Sequence, residues 1–170
     1  MRTRRVTKHL YVGEVKVGGD APISVQSMTK TDTRDVAATV RQILELEDAG
    51  CEIIRSAVPD MEAAQALREI KRQIHIPLIA DIHFTPNAAE IAARIVEKVR
   101  INPGNFADRK KFEQIEYTDA EYHAEIDRIR NRFLPLVKIC KEYGTVMRIG
   151  TNHGSLSDRI LSQYGDTPMG

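Results

Sequence analysis

The chain has 170 residues, of which 42% are hydrophobic, 29% charged and 5% aromatic. That apolar share supports a packed core and excludes global disorder, and the length suits one domain. Lys and Arg number 25 against 24 Asp and Glu, a net charge of +1, which argues against a strongly basic nucleic-acid binder or an acidic tail protein.

The segment from His9 to Gly19 reads as a β-hairpin with a polar break at Gly13-Glu14. Ile23 to Met28 is a short strand. A helix follows from about Asp35 to Ala49, with Val36, Val40, Ile43 and Leu44 at helical spacing. Thr33 or Asp35 can cap it, and Gly50 stops it. The pattern then repeats: strand Glu52 to Val58, helix Met61 to Ile74, strand Leu78 to Phe84, helix Asn87 to Val96, strand Lys98 to Pro103. Asn105 to Gly144 breaks the rhythm. From Asp108 to Glu142 it holds eight acids and eight bases, so it is no electrostatic patch. It reads as a polar excursion, 108 to 118, then a helix from Asp119 to Tyr143, with an interruption expected at Pro135. The excursion is an elaborated loop or a lid over a site. Thr145 to Asn152 is the last strand, and Ser155 to Tyr164 a helix capped by Ser155 or Ser157.

Strands alternating with helices predict an α/β class with parallel strands. Two architectures compete, an open doubly wound sheet and a TIM-type (β/α) barrel. No G-x-G-x-x-G follows Met28, Val58 or Phe84, so a dinucleotide-binding open sheet is disfavoured. The expectation is an incomplete barrel of about five βα units, where a full one has eight in about 250 residues. On this reading residues 1–170 are the N-terminal part of a TIM-barrel substrate-binding domain. Its two unpaired sheet edges would invite self-association into a homo-oligomer.

No window approaches about 18 consecutive apolar residues. The basic start carries no apolar signal region, so a cytoplasmic location is expected. Cys51 and Cys140 are no disulfide framework and read as small buried hydrophobes.

Barrel active sites form at the C-terminal ends of the strands. Those ends carry Ser27, Arg55, Asp81 with His83, Arg100 with Asn102, and Arg148 with Asn152. An arginine in an apolar strand is costly to bury unless it meets an anion. Arg55, Arg100 and Arg148 at similar strand positions suit a ligand with several phosphate oxygens; the competing reading is structural ion pairing with Asp81. Asp81 and His83 share a face because the strand period is two. They are candidate catalytic residues that orient hydroxyls or relay protons. A structural Asp–His hydrogen bond and a weak metal site are the other readings. The turn Asn152-His153-Gly154-Ser155 offers free N–H groups to a phosphate or simply caps a helix.

Five stretches carry a resemblance: Val25-Gln26-Ser27-Met28-Thr29, Ala80-Asp81-Ile82-His83-Phe84, Arg100-Ile101-Asn102-Pro103-Gly104-Asn105, Arg148 to Leu156, and Tyr164-Gly165-Asp166-Thr167-Pro168. In this order they resemble the 4-hydroxy-3-methylbut-2-en-1-yl diphosphate synthases of the non-mevalonate isoprenoid pathway. The resemblance implies a TIM barrel that binds 2-C-methyl-D-erythritol 2,4-cyclodiphosphate. It implies reductive opening of that ring with two electrons from ferredoxin or flavodoxin, and a C-terminal domain whose 4Fe-4S cluster is held by three cysteines and a glutamate. It maps diphosphate-binding arginines onto Arg55, Arg100 and Arg148, and polar substrate contacts onto Ser27, Asp81, His83, Asn102 and Asn152. The long segment after Phe106 resembles the longer form of the family, which carries an extra domain. The chain departs from the family in lacking the cluster-binding cysteine set, so the iron–sulfur domain is expected to be absent from it and the chain alone inactive. Two other readings stay open: another phosphate-binding barrel enzyme, a lyase or pterin-type transferase using Asp81 and His83, and a non-catalytic diphosphate-binding module.

Overall fold

The computed structural model describes residues 5–107, 117–165 and 167. The expected excursion, 108 to 118, falls almost wholly outside them, as do Asp166 and Pro168 of the last motif.

The hairpin forms as expected, with β1 (His9–Val12) and β2 (Val15–Gly18) antiparallel. Five parallel strands follow: β3 (Gln26–Met28), β4 (Ile53–Ala57), β5 (Leu78–Ile82), β6 (Lys98–Ile101) and β7 (Val146–Ile149), adjacent in chain order. The helices are α1 (Val36–Asp48), α2 (Met61–Arg72), α3 (Pro86–Ala92), α4 (Pro103–Phe106), α5 (Asp119–Tyr143) and α6 (Asp158–Tyr164).

Strand order separates the two architectures. A doubly wound sheet reverses its order at a switch point and carries helices on both faces. Here the order never reverses, and α1, α2, α3 and α5 all pack on one face, against Ile54, Leu78, Ala80, Ile82, Val99 and Ile101. The other face carries a small separate cluster of Ile53 and Ile79, closed by Val12, Val15 and Val17 of the hairpin. That is the arrangement of a barrel wall, with its interior face plugged at the N-terminal end.

Several ends differ from expectation. β6 stops at Ile101, because Pro103 starts α4 at the position where a missing N–H costs nothing. Asp35 is the α1 cap, accepting from Ala38 N, and Ser157 caps α6, accepting from Ile160 N. Residues His153–Ser155 form a 3-10 turn rather than the first turn of α6. α5 runs unbroken through Pro135. The proline is exposed, as is Asn131, whose carbonyl a proline at this position cannot pair, while buried Leu136, Ile139 and Cys140 hold the following turns to the core.

Candidate functional site

Register builds the site. Ala57, Asp81, Arg100 and Arg148 lie opposite one another across β4, β5, β6 and β7, while Arg55 lies one layer lower, opposite Ile79, Lys98 and Val146. All alternate with the helix-side residues, so their side chains share the interior face. Arg100 and Arg148 are therefore level, and Arg55 sits deeper than similar strand positions implied.

Asp81 is the hub. It is 4% exposed and takes Arg100 Nη1 at 3.0 Å and His83 Nε2 at 3.1 Å on Oδ1, with Arg55 Nε at 3.4 Å from Oδ2. The ion pairs weighed from the sequence are thus present for Arg55 and Arg100. A buried carboxylate neutralises one such cation; two on one carboxylate leave a surplus. Arg148 lies exposed in the same layer and meets no carboxylate among the described residues.

Arg100 is pinned further. Nη2 donates to the Gly150 carbonyl at 3.0 Å, and Nε is buried with no hydrogen-bond partner among the described residues. A Cβ on residue 150 would stand 2.1 Å from that Nε, so only glycine leaves room for the guanidinium. Arg55 donates from Nε and Nη2 to Met28 Sδ at 3.2 and 3.1 Å, a weak acceptor that holds its orientation without neutralising it.

Asn102 is 2% exposed, and its side chain bridges two turns. Nδ2 donates to Ser155 Oγ at 2.7 Å and Oδ1 accepts from Gly104 N at 3.2 Å. Ser155 returns to the Asn152 carbonyl through N at 3.0 Å and Oγ at 3.1 Å. The loops after β6 and β7 are thereby latched together beside Arg100. Asn152 itself is exposed at this mouth.

Of the sequence-predicted residues, Arg55, Asp81, His83, Arg100 and Arg148 come together on one face, with Asn102 and Asn152 at its rim. Ser27 does not join them: it is level with Ile54 and faces the helices, while Met28 turns to Arg55. Sequence reasoning passed over Lys98, which precedes Arg100 by one strand period, and Gly150. The period-two rule that paired Asp81 with His83 would have found Lys98.

The residues present do not fit an iron–sulfur cluster, which takes about four ligands, usually thiolates. Cys51 and Cys140 are free and buried, one at the entry to β4 and one in α5. Among the described residues no three His, Cys, Asp or Glu side chains gather as a metal site.

Comparison with known proteins places the chain in a family. Residues 7–170 match the GcpE TIM-barrel domain. The chain is 57% identical over 173 residues to the 4-hydroxy-3-methylbut-2-en-1-yl diphosphate synthase (flavodoxin) of Akkermansia muciniphila, covering 99% of this chain and 30% of that protein. Identity is also 57% to the flavodoxin-named synthase of Leptospira interrogans, over 98% of this chain and 26% of that protein. It is 50% to the chloroplastic, ferredoxin-named synthase of Oryza sativa, over 98% of this chain and 23% of that protein. The chain thus spans less than a third of the length of these curated relatives. The chain belongs to the GcpE TIM-barrel family.

Proposed function

We propose that the chain is the diphosphate-binding part of a 4-hydroxy-3-methylbut-2-en-1-yl diphosphate synthase, and that its ligand is 2-C-methyl-D-erythritol 2,4-cyclodiphosphate. The observation that carries this is the cationic surplus of the interior face: Arg55, Arg100 and Arg148 against the single strand carboxylate Asp81. A dianion with fixed phosphate spacing suits planar, preoriented guanidinium groups.

On this reading Arg100 and Arg148 receive the phosphates at one level. Asp81 orients Arg55 and Arg100, and His83, half exposed on Asp81 Oδ1, turns its ring toward the mouth, where it can hold or pass a proton. Asn102 keeps the two rim turns in place, and Asn152 offers an amide at the entrance. The reductive step belongs to residues outside this chain, which would supply a 4Fe-4S cluster and receive electrons from flavodoxin or ferredoxin, the donors in the relatives' names. The reading makes the full-length protein an iron–sulfur oxidoreductase, the 170 residues alone its binding module, and the compartment a cytosol that keeps the buried thiols reduced.

Calorimetric titration of the cyclic diphosphate into the chain tests this. Binding should be measurable, and weakened in Arg55→Ala and Arg148→Ala and most in Arg100→Ala. Unchanged binding in all three variants would refute the site.

A further inference from the structure

Among the described residues, Lys98 is a cation without a counterion on the interior face. Its register partners are apolar, buried Ile79 on β5 and Val146 on β7. Both belong to the small cluster sealed by Val12, Val15 and Val17 of the hairpin, so the stem of Lys98 rises from the apolar floor of the barrel. Val99, the next residue, packs with the helices, which fixes Lys98 on the opposite face.

The charged groups facing Lys98 are named by the same register. Arg55 lies in its own layer on β4. One layer toward the mouth stand Asp81 on β5, Arg100 on β6 and Arg148 on β7, with His83 above Asp81. The hairpin packs Val12, Val15 and Val17 against this layer, and alternation turns Lys16 to its other face, where it pairs with Asp20. Asp81 is already shared among Arg55, Arg100 and His83, and Lys98 has no ion pair of its own among the described residues. A half-buried ammonium beside arginines is unfavourable in both desolvation and Coulomb energy. Burial, and after it the Arg148 guanidinium, hold its pKa below the usual lysine value. An anion lodged between Lys98 and Arg148 relieves both costs.

One layer is two residues, about 6.6 Å along a strand, a gap that the flexible four-carbon stem can cross. We propose that Lys98 is a fourth cationic contact for the ligand, reaching the phosphoryl group seated deepest on the interior face. This rests on the diphosphate-binding reading above and extends it: Arg100 and Arg148 grip the ligand at the rim, and Lys98 meets it from the floor.

The test is calorimetry of the chain with 2-C-methyl-D-erythritol 2,4-cyclodiphosphate, run in buffers of different ionisation enthalpy at about pH 7.5 and about pH 9. A lysine whose pKa rises on meeting an anion takes up protons as the ligand binds. That uptake grows with pH over this range, because more of the free protein has lost the proton. Uptake by a group of ordinary imidazole pKa, about 6.5, would instead shrink over the same range. The expected result is uptake in the wild-type chain that is larger at the higher pH. Lys98→Met should lower affinity about tenfold or more, the loss of one charge-assisted hydrogen bond, and abolish the uptake. Lys98→Arg should keep most of the affinity and also abolish the uptake. If Lys98→Met does not fold, Lys98→Arg and the wild-type pH profile decide. Wild-type binding with uptake that falls with pH, or a folded Lys98→Met with wild-type affinity and uptake, overturns the role of Lys98 and leaves the diphosphate site standing. A wild-type chain that binds no cyclic diphosphate overturns both.

Discussion

Gly150→Ala is the sharpest small perturbation of the site. The new Cβ would lie 2.1 Å from Arg100 Nε and 2.9 Å from both Cζ and Nη2. Arg100 is 7% exposed and cannot swing away without abandoning Asp81 and the Gly150 carbonyl, each held at 3.0 Å. If the guanidinium leaves, a buried, hydrogen-bonded charge pair is broken, which costs about 3–5 kcal/mol. If it stays and β7 shifts instead, overpacking strain costs about 1–3 kcal/mol. The larger figure applies, because β6 and β7 pair directly at this level and cannot separate cheaply. Gly154→Ala is the control, since no atom of the described residues lies within 4 Å of a Cβ there, and it should stay within about 0.5 kcal/mol of wild type. Urea unfolding followed by circular dichroism measures both, and titration with the cyclic diphosphate reports the displaced arginine. A loss under about 1 kcal/mol in Gly150→Ala, with wild-type affinity, would refute the packing argument for Arg100.

Two more expectations follow from other contacts. Gly104→Ala would place Cβ 1.9 Å from the Ser155 backbone carbonyl, so the latch between the loops after β6 and β7 should open; proteolysis near Ser155 should accelerate, and unchanged protection would count against the latch. The sheet has β3 and β7 as unpaired edges within these residues, and Ile149 is 53% exposed beside an apolar cavity of about 310 Å³ lined by Phe106, Phe133 and Ile160. The chain should therefore self-associate; a monodisperse monomer in light scattering would contradict this.

The parts of the site that were legible in the sequence are those governed by local rules. Alternation placed Asp81 and His83 on one face, and the two do meet. The repeating strand–helix pattern announced parallel strands, and the chain-order sheet is what that pattern makes. Other features depend on pairing between strands, which no single segment encodes. Arg55 lies a layer below Arg100 because β4 and β5 align Arg55 with Ile79, and Ser27 turns to the helices because β3 aligns it with Ile54. Lys98 lies short of the strand end, and its place above an apolar floor follows from the pairing of β6 with β5 and β7 and from the hairpin plug. The Asn102–Ser155 bridge joins residues 53 positions apart and follows from the approach of two loops. Gly150 announced nothing until Arg100 was seen to occupy the space of its missing side chain.

A crystal structure of the chain grown with 2-C-methyl-D-erythritol 2,4-cyclodiphosphate decides whether the interior face of the sheet is the diphosphate site. Both phosphorus atoms should lie on the interior face of the sheet, with phosphate oxygens within hydrogen-bonding distance of Arg100 and Arg148. A ligand on the helix side, or in the apolar cavity beside α5 and α6, would contradict it.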